Sequence, residues 1–392
     1  MKTRTALLSG FVLWPTLAVV ARAQLASTPP VDTRPTTRFS LDIPAQWAEA
    51  PDRAKTRAAQ GQELDLVVQA AEGPLDQAAA HLALANWLLA VPTARPATKW
   101  ILGMATDPDL KLIADSAVAA KDHLREARVL LKRAPASTSA PASQPAGHGT
   151  PAVPGAAGDA GDRLRRKLAA AADLLEPFQV MLATANLAGD AKALKAACRQ
   201  AARGLASVRE AANDQLAACA LMWQAFAWNL AGREGRSTVS LPDSMVKPEN
   251  PDYDFICRLL RCLILVDNGH YPVGLVMTMR IRSDCSDWFP REPKEQIQAR
   301  ERLAALVQCH IGQLWMAKLR AANSPANADR LEVQLVQVQS TVFGEVKPPV
   351  EIYTLPQAVP ILVEPPKVSP KAAATQTAPS PSTKPKAGTS AE

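Results

Sequence analysis

The sequence predicts an all-α protein of antiparallel helical hairpins, solenoid-like in their stacking. Three observations carry that expectation. Apolar residues recur at helical spacing through most of the chain, prolines stand where helices would start, and Pro-rich stretches with few core-forming residues interrupt the periodic regions. With 392 residues and 47% apolar content, the chain has the material for two or three domains and a sizeable core. The balance of 44 basic to 37 acidic residues gives a pI near 9.1. That falls short of the Lys and Arg density that nucleic-acid binding calls for, so no nucleic-acid partner is expected.

Residues 1–23 read as a secretory signal peptide. Lys2 and Arg4 precede an apolar stretch from Ala6 to Val20, and Ala21-Arg22-Ala23 offers a small-x-small cleavage site. About fifteen apolar residues broken by Pro15 are too few to span a bilayer, which takes roughly 20. Cleavage after Ala23 lowers the formal charge from +7 to +4. No run of 18 apolar residues follows, so the mature chain is expected without a transmembrane segment, in a periplasmic or extracellular setting.

Residues 24–45 form a polar, Pro-punctuated linker. An N-terminal helical segment, 46–133, follows, with helices expected at 53–72 and 75–91. A longer helix starts at Asp107-Pro108. Its stripe of Leu110, Ile113, Ala117, Ala120, Leu124, Ala127 and Leu131 alternates spacings of three and four. Residues 134–161 contain small residues, Pro, His148 and Asp and read as a disordered linker, with His148 solvated. The helical domain, 162–344, opens with a helix at 162–187. A stripe from Asp190 through Cys198, Leu205, Leu216, Cys219, Trp223 and Leu230 then implies one helix of about 60 Å if unbroken. Helices at 251–268, 293–321 and 325–343 complete it, the last announced by Ser324-Pro325 although its β-branched content also suits a strand. Residues 345–392 read as a disordered Pro-rich tail. The heptad-like seams leave self-association as a coiled coil open.

In "VDNGHYPVGLVMTMRIRSDCSDWF", residues 266–289, Leu275, Met277, Met279 and Ile281 alternate as a strand would. A turn explains more of it: Asp267-Asn268-Gly269 closes one helix and Pro272 opens the next. From Phe255 to Asp284 the chain resembles one tetratricopeptide-type unit. Cys262 and Gly274 match small positions, Leu265 a large apolar one, Gly269 the turn glycine and Tyr271 the aromatic after it. Arg261, Thr278 and Ile281 depart from the pattern. No 34-residue period recurs. The resemblance implies a protein-binding scaffold without catalysis.

Six cysteines, Cys198, Cys219, Cys257, Cys262, Cys285 and Cys309, all follow the linker and are candidates for disulfides or core thiols. On one long helix Cys198 and Cys219 would stand about 31 Å apart, and Cys257 and Cys262 about 140° round a helix, so bridges would have to join different helices. No Cys-x-x-Cys or His-Glu-x-x-His appears, and neither a metal site nor a cofactor is expected. Phosphate-loop and serine-hydrolase motifs are equally missing. The one enzymatic alternative is a site in the 250–310 region around His270, Cys285 and His310. Asp267, Asp284 and Asp287 read as caps and turn residues, and Arg163 to Lys167 as a solvated face. Trp87, Trp100, Trp223, Trp228 and Trp315 read as core. Trp288 and Phe289, with Tyr271, are the candidate partner-binding residues. The favoured role is an exported, non-catalytic scaffold or adaptor for another protein of the cell envelope.

Overall fold

Prolines and acidic residues at helix starts, and left-handed residues at several helix ends, divide the chain into twelve helices among the residues described by the computed structural model, 51–134, 156–212, 214–232, 241, 250–344 and 351–367. They are α1 (Pro51–Ala70), α2 (Pro74–Ala90), α3 (Ala94–Ile101), α4 (Asp107–Arg133), α5 (Ala156–Ala183), α6 (Ala191–Ala211), α7 (Asp214–Leu230), α8 (Pro251–Asp267), α9 (Tyr271–Ser283), the single turn α10 (Cys285–Trp288), α11 (Lys294–Ala321) and α12 (Pro325–Phe343). A 3₁₀ turn, Thr184–Leu187, extends α5. No strand occurs among the described residues, so both stretches with strand-like patterning are helical. The signal peptide and the 24–45 linker lie outside the described residues.

Local chemistry accounts for the boundaries. Asp109 accepts hydrogen bonds from the Thr106 backbone N–H (3.0 Å) and hydroxyl (2.7 Å), which makes Thr106 the N-cap of α4, one residue earlier than expected. Burial alone would raise the Asp109 carboxyl, but those two bonds and the Lys99 ammonium at 3.2 Å outweigh it and hold it below the usual range. At the end of α8, Gly269 adopts φ +86°, its N–H donates to Val266 O, and the His270 N–H donates to Leu265 O (2.8 Å). This is a complete Schellman turn.

Each long helix packs chiefly on a long helix adjacent to it in the chain, from α1 on α2 through α2 on α4 to α11 on α12. Small residues set the closest approaches. Gly204 on α6 faces Pro177 on α5, where an added Cβ would lie 3.1 Å from the Pro177 Cβ. At Gly274 a Cβ would meet Val266 Cγ2 at 2.6 Å and the Cys262 carbonyl at 2.9 Å. α5 with its 3₁₀ turn is long and apolar enough to cross a membrane by length and composition. Its apolar side is taken up in packing, with Leu168, Leu175, Phe178 and Met181 buried.

Three expectations need correction, and one point the sequence left open, whether the two helical segments touch, is answered. The 190–230 stripe is two helices, not one: Ala212 is extended (φ −102°, ψ 163°) and α7 starts at Asp214. The stripe stays in phase across the break because α6 and α7 pack on each other, so both need an apolar face, and the separation inferred between Cys198 and Cys219 does not hold. The segments 46–133 and 162–344 share one core, sealed where Trp100 of α3 meets Trp223 and Phe226 of α7 at 6.1 and 5.1 Å between ring centroids. α5 begins at Ala156, inside the expected 134–161 linker, while 135–155 lie outside the described residues. Lastly, the expected disordered tail, 345–392, includes a packed stretch: in 351–367, Ile352, Tyr353, Leu355, Ala358, Val359 and Val363 are buried.

Candidate functional site

Residues 351–367 form no helix or strand of their own, so their backbone groups find partners on the helices they cross. Near the first residue, Arg302 of α11 donates to Glu351 O (3.2 Å) and Arg53 of α1 pairs with the Glu351 carboxylate. The Tyr353 N–H donates to Ala299 O of α11 (3.1 Å), and the Leu355 N–H to the Thr98 hydroxyl of α3 (3.0 Å). Tyr253 of α8 donates its hydroxyl to Gln357 O (3.3 Å). At Ala358 the N–H donates to Ala90 O of α2 (2.9 Å), while its carbonyl accepts from Trp223 Nε1 (2.9 Å) and the Cys219 thiol (3.4 Å) of α7. Asn86 of α2, fully buried, grips the far end: its amide nitrogen donates to Pro360 O (3.0 Å) and its oxygen accepts from Leu362 and Val363 N–H.

Prolines suit this arrangement. Pro356 and Pro360 carry no N–H to satisfy and fix φ near the extended value, which lowers the entropy lost on ordering. Most of the polar contacts read main chain, and the buried side chains fill apolar space between the helices.

Arg300 on α11 anchors the near end. It is 2% exposed, pairs with Asp252 and Glu292, and lies over the rings of Phe289 (4.0 Å) and Tyr353 (4.3 Å). The Tyr353 hydroxyl donates to the same Asp252 (2.6 Å), and burial together with the Asp252 charge pushes that phenol well above its usual range. An open cleft of about 930 Å³ borders this end, walled by Arg53, Asp252, Glu292, Arg300 and Tyr353. A second, more apolar groove of about 460 Å³ lies between α9, α11 and α12, beside Met279, Trp315 and Leu335.

No family model, curated protein or solved structure matches this chain. Its chemistry is therefore read from its own geometry. Of the expected partner-binding residues, Phe289 is 3% exposed and packs on Phe255 (5.9 Å) beneath Arg300, so it is a core residue and not a surface anchor. Trp288 is half-buried, with the Arg258 guanidinium 4.6 Å over its ring, and Tyr271 is half-buried against the core. All six thiols are free and buried. Burial pushes Cys198 up to about 11 and Cys262, Cys285 and Cys309 up to about 12, and it raises Cys219 and Cys257 as well. These are core thiols, poor as nucleophiles.

Of the residues named for an enzymatic alternative, Cys285 is a buried thiol that burial pushes up to about 12. The Cys285 thiol donates to Ile281 O (3.2 Å), and the charges bearing on it are Glu301, Arg300 and Asp284, not an imidazole. His310 is lowered by burial, opposed by Asp267, and its Nε2 faces Gly103. Among the described residues, no group of three or more His, Cys, Asp or Glu side chains could hold a metal.

The structure adds a pair that the sequence did not suggest. His81 of α2 and His123 of α4 share a hydrogen bond between their Nδ1 atoms at 2.9 Å. Burial lowers His81, with His123 adding and Glu126 opposing; burial also lowers His123 against Asp65 and Asp122. Asn86, Thr98, Trp223, Asp252 and Arg300 were likewise not read as one site. A signal for the segment itself was present: Ile352, Tyr353, Leu355, Val359, Ile361, Leu362 and Val363 crowd into twelve residues, whereas 368–392 hold little of that kind.

Proposed function

We propose that this chain is an exported, non-catalytic helical scaffold or adaptor that engages another protein of the cell envelope. The observation that carries the reading is the cleft filled by residues 351–367, in which α2, α3, α7, α8 and α11 offer side-chain and carbonyl partners to the main chain of that extended segment. A surface built this way suits protein recognition through backbone hydrogen bonds, with apolar pockets adding selectivity. Export rests on the first 23 residues, and the mature chain is expected to begin at Gln24.

The test is a cross-linked pull-down of the mature chain from its native source, with the amino terminus determined on the same material. A specific protein above background and a start at Gln24 are the expected results. Recovery of nothing specific sinks the adaptor role, and a retained Met1 sinks export by cleavage.

A further inference from the structure

We propose that the cleft is a binding site for an extended, proline-punctuated apolar peptide, that residues 351–367 are its built-in occupant, and that a partner peptide of the same chemistry binds by displacing them. This deepens the scaffold reading and rests on it. Four observations point the same way. The segment enters the core without secondary structure of its own. Its main chain is held at Tyr353, Leu355, Gln357, Ala358, Pro360, Leu362 and Val363 by groups from five helices. Most of those bonds would form with another sequence in the same register, since a carbonyl or amide N–H belongs to every residue except the nitrogen of proline. What selects the occupant is the pattern of side chains between them: an aromatic at 353 beside Arg300 and Asp252, an aliphatic at 355, small or branched residues at 358, 359 and 363, and prolines at 356 and 360 where no N–H is required.

Asn86 is the side chain that reads the segment's main chain most fully. It is 0% exposed, yet it spends both ends of its amide on three backbone groups of the segment. An apolar residue there would leave those three backbone groups unpaired. An amide reads a chain running past it. The segment belongs to the same chain and follows α12 closely in sequence, so its local concentration at the cleft is high, on the order of millimolar. That makes the cis occupant a competitor which sets a threshold for any peptide arriving in trans.

The experiment uses the full chain with residues 345–350 replaced by a site-specific protease sequence and cut after folding, and a fluorescent synthetic peptide of residues 351–367 as the probe. The cut chain is expected to keep its helical circular dichroism and to exchange its segment for the probe. The uncut chain should bind the probe at least tenfold more weakly. Asn86→Ala in the cut chain should weaken probe binding at least tenfold, and so should a probe with Ser at the Tyr353 and Leu355 positions. If the cut chain retains its segment without exchange, or releases it only as helicity is lost, the segment is a fixed part of the core and the proposal falls. Failure here with a specific partner still recovered in the pull-down overturns the displacement alone and leaves the adaptor role standing. Exchange without any recovered partner upholds the cleft and removes the adaptor role.

Discussion

The α8–α9 pair and the 351–367 segment lie in the same core but are held by opposite means. α8 and α9 are specified locally: prolines at both starts, a left-handed glycine between them, and a small residue at the crossing. The segment carries no local signal of that kind, and the groups that fix its main chain include Thr98 and Asn86, 257 and 274–277 residues away. One region can be recognised from thirty residues read alone. The other exists only once the rest of the molecule does.

Arg300 joins the two, so its loss breaks the comparison most directly. Arg300→Ala leaves Asp252 and Glu292 without their buried partner and is expected to cost about 3–5 kcal/mol in chemical denaturation. Arg300→Lys should recover little, because a lysine cannot serve two carboxylates and stack on Phe289 and Tyr353 together. Leu355→Ala tests the segment alone, at about 2–5 kcal/mol for a residue 1% exposed. A loss below about 1 kcal/mol would mean that the segment spends most of its time out of the cleft. Gly274→Ala tests the local pair, at about 1–3 kcal/mol, because the new methyl meets the rigid Cys262 carbonyl; probe exchange at the cleft should be unchanged.

Acid provides a smaller effect. His81, His123 and His310 have folded values below their ordinary 6.5, so the unfolded chain binds more protons as pH falls through that value. Their contribution is complete above about 6.5 and is lost progressively as pH drops toward the folded values. The melting temperature should therefore be lower at pH 5.5 than at pH 7.5, and His81→Asn should shrink the difference. Equal melting temperatures at the two pH values would contradict the burial of these rings. The least effect is expected from Arg53→Ala. Its pair with Glu351 is exposed at 63% and 51%, and an equilibrium unfolding curve should shift by less than about 1 kcal/mol.

What was legible in the sequence follows the same division. Pro325 decided helix against strand for α12, and Gly269 with Pro272 located the α8–α9 turn, because caps act within a few residues. The α6–α7 break was missed because two helices facing each other carry apolar stripes that run on in phase, leaving only Asn213-Asp214 to mark it. α3 was missed because eight residues hold too few turns for a period to show. The cleft was illegible for a deeper reason. Asn86, Thr98 and Trp223 are ordinary helix residues until a chain lies across them, and the proline count of the tail masked its apolar stretch. Phe289 misled in the reverse direction: an aromatic beside turn residues looks like a surface anchor, and here it packs beneath a buried guanidinium.

The long separation between the segment and its partners also fixes an order of events. A chain delivered amino end first has every helix of the cleft available before residues 351–367 emerge to fill it. Newly made protein thus passes through a stage with this apolar seam open to water and to any extended polypeptide nearby. The final contacts to form are those at the carboxyl end, which makes premature termination costly and gives a chaperone that holds extended chains a natural interval in which to act.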